Sequence, residues 1–375
     1  MKNMRRTKST LAVSAALILM ACLAGSCATE APAQGVSPQL MVRVDAQGVA
    51  TIENGQIPPS SILSEEAKAV LARPTEGPGA APPPQAENMA ELRRLMNERL
   101  QPNVARMRAQ FPVDVEETTI DGISVAIITP QGGVPERNAN RVLINAPGGG
   151  FRTGIRANGL MVAIPVSHLG GFKVVTILYR QGPEHQFPAA TEDFLRVYRA
   201  LRRDYPARNV GLFGCSAGGA LVTQTVATLI RNNEETPGAI GVYCAGLGAR
   251  FDGDSNSFAG LMLPTGGPNV PSTPPAAGVG NAYFEGMDIN RPDITPANDL
   301  DVLRRFPPTI FLTGTRDFAM SQAAYGHRRL LSAGVETDLL IFDGLGHGFM
   351  TNALVPETRE AQTLTSRFYD EHLGR

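Results

Sequence analysis

From residue 115 onward the apolar positions of this chain alternate between two periods. Thr118 to Ile128 alternates apolar and polar residues on either side of Asp121-Gly122, which predicts a strand or hairpin turned at that dipeptide. Arg141 to Asn145, Lys173 to Tyr179, Asn209 to Phe213, Ala239 to Ala245, Thr309 to Leu312 and Thr337 to Phe342 are short apolar runs that predict strands. Between them, Gly159 to Leu169, Ala189 to Arg203 and Ser216 to Arg231 read as helices. In the second of these, Ala190, Phe194, Val197, Tyr198 and Leu201 share one face. A further helix should end at Gly334, and a last one should run from about Glu357 to Glu371. Near-continuous apolar strands separated by helices predict an α/β fold: a mostly parallel sheet with helices on both faces. Reactive groups in such a sheet collect at the carboxyl ends of the strands. Arg250 to Leu303 breaks the alternation. It is rich in Gly, Pro, Asn and Asp and reads as a long excursion that helps shape a pocket.

The first part of the chain is patterned differently. Lys2, Arg5, Arg6 and Lys8 precede an uncharged run from Leu11 to Cys27, shorter than the ~20 apolar residues of a spanning helix. Residues 1–27 therefore read as a secretory signal. Leu23-Ala24-Gly25-Ser26-Cys27 resembles a bacterial lipoprotein processing site, and Leu19-Met20-Ala21-Cys22 is a weaker one. Ordinary cleavage after Ala33 is the alternative. The expected location is outside the cytoplasm, in a bacterial periplasm or held to a membrane only by an N-terminal lipid on Cys27 or Cys22. Residues 28–60 mix Pro, Gly, Ala and Gln and read as a tether with little fixed structure. Residues 61–110 read as a helical cap segment. It has a short helix from Ser61 to Ala72 that starts at Ser64, Glu65 and Glu66. After a proline-rich link from Arg73 to Gln85, Met89, Leu92, Met96 and Leu100 recur at helical spacing between Ala86 and Gln101. That apolar face could cover the site as a lid or serve as a packing arm. Residues 111–375, which hold the alternating strands and helices, read as the main domain.

Composition narrows the function by exclusion. The 375 residues carry a formal net charge of -1, with Lys and Arg scattered, so nothing suggests a nucleic-acid partner. Only Cys215 and Cys244 lie beyond the leader; both sit in apolar segments and read as buried free thiols. The histidines show no zinc-type spacing, and no phosphate-loop or dinucleotide fingerprint occurs. Neither a metal nor an organic cofactor is expected.

Gly214-Cys215-Ser216-Ala217-Gly218 stands between a strand and a helix, the context a nucleophilic serine elbow requires. Its glycines relieve crowding at a sharp turn, and the helix N-terminus favours negative charge. A helix N-cap is the plainer reading of the same serine. Pro147-Gly148-Gly149-Gly150-Phe151 follows an earlier strand and can present backbone N–H groups to an oxyanion, completed by the N–H of Ala217. His347 follows the last strand between Gly346 and Gly348. Asp317 follows the strand before it. The order Ser216, Asp317, His347 suits nucleophile, acid and base, with Asp343, four residues before the histidine, as the rival acid.

Together these segments resemble the bacterial hormone-sensitive-lipase-like esterases, a branch of the α/β-hydrolases. Tyr179-Arg180-Gln181-Gly182-Pro183-Glu184-His185-Gln186-Phe187-Pro188-Ala189-Ala190-Thr191-Glu192-Asp193 is similar to a long block of that family. So are the elbow, the histidine loop and Asp293-Ile294-Thr295-Pro296; the resemblance spans residues 115–373. It implies the α/β-hydrolase fold and a small-molecule substrate, a carboxylic ester of short to medium acyl chain cleaved through an acyl-enzyme. It also implies oxyanion donors at Gly148, Gly149 and Ala217, and structural roles for Glu184 and His185. Two positions depart from the family. Pro147 stands where its loop has histidine, and Cys215 where Asp or Thr precedes the serine. A ligand-binding protein on a retired scaffold, or an amidase or peptidase with the same triad, stays open as an alternative.

Overall fold

The computed structural model describes residues 41–53, 57–72, 86–257 and 282–374. The leader, both candidate lipidation cysteines, the Arg73–Gln85 link and residues 258–281 of the excursion lie outside the described residues. Among the described residues no helix is long and apolar enough to cross a membrane.

The chain divides into two units, residues 1–57 and 58–375. The first contains a short hairpin, within the residues whose composition reads as a tether with little fixed structure. Strands β1 (Met41–Val44) and β2 (Ala50–Glu53) pair antiparallel. The turn between them is held by Asp45, whose carboxylate accepts the N–H groups of Gln47 at 2.9 Å and Val49 at 2.8 Å. A side chain that bonds backbone two residues on is a local turn signal.

The second unit is built on an eight-stranded sheet of order β10-β9-β8-β7-β5-β6-β4-β3. In chain order its strands are β3 (Val113–Ile120), β4 (Ile123–Pro130), β5 (Val142–Ala146), β6 (Lys173–Ile177), β7 (Val210–Cys215), β8 (Ala239–Tyr243), β9 (Thr309–Arg316) and β10 (Thr337–Gly346). Only β4 runs against its neighbours. The strand residues alternate between two cores. Val142, Ile144, Leu212, Ile240 and Phe311 join one; Leu143, Phe213, Tyr243, Ile310 and Leu312 join the other. Helices cover both faces, as strands buried on both sides require. Against the first core lie α4 (Ala189–Leu201), α5 (Ala217–Arg231) and, beyond the short α6 (Leu300–Leu303), α7 (Met320–Ser332). Against the second lie α2 (Met89–Gln110), α3 (Ile155–Gly170) and α8 (Pro356–His372).

The N-terminal helices differ from their predicted extents. The first, α1 (Glu65–Leu71), starts after Ser64, whose hydroxyl accepts the Ala67 N–H at 3.1 Å. Ser64 also donates from its backbone N–H and its hydroxyl to Glu357 of α8, at 2.8 and 2.9 Å. Helix α2 runs through Pro102 to Gln110, nine residues past the predicted end. Proline removes one helical hydrogen bond, yet Val104, Met107 and Phe111 beyond it are fully buried, and that packing outweighs the lost bond. Strands β9 and β10 each extend four residues past prediction, to Arg316 and Gly346, which register against one another. Asp317 and His347 are thereby the first residues off two adjacent strands.

Candidate active site

Strand β7 ends at Cys215, α5 begins at Ala217, and Ser216 makes the turn with φ +58° and ψ −122°. A non-glycine residue held there stores strain of about 1–3 kcal/mol and persists only where its surroundings over-determine it. Here the Ser216 N–H donates to the Tyr243 carbonyl at 2.8 Å, and its carbonyl accepts the Ala220 N–H at 3.1 Å. Gly218 passes so close to β5 that a Cβ would sit 1.9 Å from the Ala146 carbonyl. Ser216 occupies the N-cap position of α5, but its side chain makes no capping hydrogen bond. It is half-buried among buried neighbours. The capping reading therefore leaves the hydroxyl unexplained.

The glycine loop after β5 lies against this elbow. A Cβ at Gly148 would stand 2.7 Å from the Cys215 carbonyl and 3.4 Å from the Ser216 Cβ. Gly149 adopts φ +126° beneath the Thr153 carbonyl, 1.8 Å from a would-be Cβ, so no other residue fits. The loop is not slack. Tyr179 donates its hydroxyl to the Pro147 carbonyl at 2.7 Å, and Asn158 Nδ2 donates to the Gly148 carbonyl at 3.3 Å. The Phe151 ring stacks on Tyr283 with centroids 4.7 Å apart.

The histidine and acid loops converge on the same strand ends. His347 Nδ1 and Asp317 Oδ1 are 2.7 Å apart. Asp317 is wholly buried and also accepts the Ala319 N–H at 2.8 Å and the Thr313 hydroxyl at 2.9 Å. Phe318 stacks on the imidazole at a centroid distance of 4.1 Å. Burial, the largest influence on Asp317, favours its neutral form. The charge and hydrogen bond of His347, with the Ala319 N–H, outweigh it and hold the carboxyl below its usual range. Burial likewise pulls His347 down, and the Asp317 charge and hydrogen bond more than offset it, raising the imidazole above its usual value. Elbow and histidine loop touch through their neighbours. Cys215 Sγ is 4.0 Å from Met350 Sδ, and the Gly348 N–H donates to Cys244 Sγ at 3.2 Å. Both thiols are free and buried, as the sequence implied.

Asp343 is elsewhere engaged. It is exposed, accepts the Thr315 hydroxyl at 2.9 Å and the Ser60 hydroxyl, and those bonds hold it below its usual range. It anchors the chain ahead of α1 and leaves His347 to Asp317. His168, His327 and His372 bond or face Pro112, Thr337 and Glu336, away from the elbow. Among the described residues, one group of possible metal donors occurs: Cys244, Asp317 and His347, with ligand atoms within 4.8 Å. Two of those three are already hydrogen-bonded to each other.

The Tyr179–Asp193 block closes on itself. Arg180, near its start, donates to Asp193 at 2.8 and 2.9 Å and to Glu192 at 2.9 Å, near its end. Glu184, in the middle, instead pairs with Arg93 of α2 at 2.6 Å. Sequence reasoning missed Arg93, Tyr179, Thr313, Phe318 and Tyr283 as neighbours of the site. Thr313 and Phe318 flank Asp317 and could have been suspected. Arg93 carries no local signal, because its partners lie 59 to 91 residues away.

Known proteins bear on this arrangement. A 262-residue stretch is 26% identical to a versiconal hemiacetal acetate esterase of Dothistroma septosporum, covering 66% of this chain and 77% of that one. The crystal structure of an esterase, 28% identical, superposes with a TM-score of 0.73 over 86% of this chain and 98% of its own. A second, of an esterase from the bacterial hormone-sensitive lipase family, is 23% identical with a TM-score of 0.68 over 83% of this chain and 99% of its own. The family model for the α/β-hydrolase fold matches residues 143–351, from the middle of β5 to just past the histidine loop. Because that model covers more than half of the chain, this chain belongs to the α/β-hydrolase family, and the relatives it resembles are named as esterases.

Proposed function

We propose that this ester hydrolase is a serine enzyme that works through Ser216, His347 and Asp317 on carboxylic esters of short to medium acyl chain. The observation that carries the reading is the 2.7 Å pair of His347 and a fully buried Asp317, carried on the same sheet as a strained serine whose hydroxyl is not used in capping. Asp317 fixes the proton on Nδ1, leaving Nε2 free to accept from Ser216. Ser216 Oγ attacks the ester carbonyl as His347 takes its proton. The N–H groups of Gly148, Gly149 and Ala217 receive the oxyanion. His347 returns the proton to the departing alcohol, and water then cleaves the acyl-enzyme by the same route. The acetate named in the relative from Dothistroma supports a short acyl group. The leader supports export, with a lipid on Cys27 or Cys22 as the only membrane attachment.

Hydrolysis of p-nitrophenyl acetate by the mature protein and by Ser216→Ala tests the mechanism. The substitution should lower kcat by roughly 10⁴-fold or more. Equal rates would end the serine reading. Turnover of p-nitrophenyl butyrate, but not of the matching anilide, is expected of an esterase; cleavage of both would make the protein an amidase as well.

A further inference from the structure

One side chain of α2 reaches into the loops around the site. Arg93 donates from Nε to the Arg152 carbonyl at 2.9 Å and from Nη2 to the Gly182 carbonyl at 2.8 Å. Its two terminal nitrogens also grip the Glu184 carboxylate at 2.9 and 2.6 Å. The Arg152 N–H bonds back to the Gly149 carbonyl at 3.0 Å, and the Gly182 N–H donates to the Phe151 carbonyl at 2.8 Å. A single guanidinium therefore fastens to α2 both the glycine loop and the Tyr179–Asp193 block, which also bond each other directly. Two turns along the same helix face, Leu100 lies 3.8 Å from a would-be Cβ at Gly154, so α2 follows the loop.

The loop it holds is one that needs holding. Gly149, Gly150 and Phe151 take φ of +126°, +64° and +57° in succession. Phe151 has no glycine's freedom there, and such a residue stays put only when its surroundings fix it. A planar, five-donor guanidinium can serve three acceptors at once, which an ammonium cannot do in the same geometry.

We propose that Arg93 is a positioning residue for the reaction: it holds residues 149–152 so that the Gly148 and Gly149 N–H groups stay aimed at the oxyanion. The inference rests on the serine-esterase reading above. Helix α2 then belongs to the catalytic apparatus, and a guanidinium 28% exposed at its solvent side is the point of attachment.

The test compares the full chain with Arg93→Ala, Arg93→Lys and Glu184→Ala in p-nitrophenyl butyrate turnover, in labelling of the serine by a fluorophosphonate, and in melting temperature. Misplacing reacting groups by about 1 Å costs on the order of 100-fold. Arg93→Ala should thus lose 10- to 100-fold in kcat and in labelling rate, with KM changed less than about threefold. Arg93→Lys should recover little, because a lysine matches neither the fork nor the span. Ethylguanidinium added to Arg93→Ala should restore part of kcat and leave the unmodified protein unaffected. A kcat within about threefold of the parent, or no recovery with ethylguanidinium, would overturn the proposal. If Arg93→Ala does not fold, Glu184→Ala decides. A severalfold drop in kcat at an unchanged melting temperature supports the clasp, and an unchanged kcat refutes it. Failure of the parent protein to be labelled at Ser216 would instead overturn the serine reading beneath it.

Discussion

Around Ser216 the geometry is carried by backbone, and around His347 it is carried by side chains. The elbow and the glycine loop are packed main chain to main chain, with Gly218 against Ala146 and Gly149 against Thr153 at distances that exclude a methyl group. Backbone also meets backbone where the acid and histidine strands end, at Gly314 against Leu345, but Gly348 beside the histidine is open. What fixes the acid and histidine loops is a set of hydrogen bonds converging on Asp317 from His347, Ala319 and Thr313. The difference teaches that one half of the site should fail by steric collapse and the other by loss of charge and tautomer. Changes in the first should cost stability and activity together. Changes in the second should cost activity with the fold intact.

The largest effect that would sharpen this contrast is Asp317→Asn. Removing the charge that orients a triad histidine costs about 10⁴-fold in kcat, and the melting temperature should move little by comparison. The pH profile adds a signed check. The proposed mechanism needs neutral His347, whose affinity for a proton is raised by Asp317. The acid limb of kcat/KM should therefore lie above the ~6.5 of a free imidazole. In Asp317→Asn the raising influence is gone while burial remains, so the limb of the residual activity should shift to lower pH. A limb that stayed in place would mean that another group sets it. Linkage points two ways. The raised histidine contributes stability that is full below ~6.5 and lost as pH rises through its folded value. The depressed Asp317 contributes stability that is lost as pH falls through its own.

Gly149→Ala should come next and should break differently. The methyl group meets the Thr153 carbonyl and the residue cannot keep φ +126°. Destabilisation of roughly 2–5 kcal/mol is expected in denaturant unfolding, with kcat reduced in whatever folds. Full activity at an unchanged midpoint would show that the loop relaxes more freely than its packing implies. The smallest effect belongs to Asp343→Asn. This exposed acid holds Ser60 and Thr315 and leaves the imidazole alone. Stability should change by less than about 1 kcal/mol and kcat by no more than about threefold. A loss rivalling that of Asp317→Asn would reverse the assignment of the acid.

Much of this arrangement was legible in the sequence. The hairpin at Asp121-Gly122, the parallel strands, the elbow and the order of Ser216, Asp317 and His347 all follow from local patterns: period, turn residues and glycines beside a reactive side chain. What eluded it was set by contacts between distant segments. The strand ends exceed their predicted extents because Thr313 to Arg316 and Asp343 to Gly346 are polar or glycine-rich and become strand only through the β9–β10 pairing, Thr313 with Ile341, Gly314 with Phe342 and, past an irregularity, Arg316 with Gly346. Helix α2 was cut short at Pro102 because proline is a local stop signal, and the burial of Val104 and Met107 that overrides it is tertiary. The composition of residues 28–60 is that of a linker and gives no sign of the hairpin whose turn Asp45 bonds.

The sequence by itself determined which chemistry can be proposed for this chain, because a serine elbow, an aspartate, a histidine and a glycine loop in a fixed order are properties of residues and their spacing. The tertiary structure decided which acid serves the histidine and what holds the glycine loop in place. Asp317 comes just after β9 and Asp343 lies within β10, and in the fold the first is buried beside His347 while the second is exposed. Arg93, Tyr179 and Tyr283 gain meaning only when folding closes gaps of dozens of residues. A hydrogen bond depends on position within a few tenths of an ångström, and no local pattern encodes position over that separation.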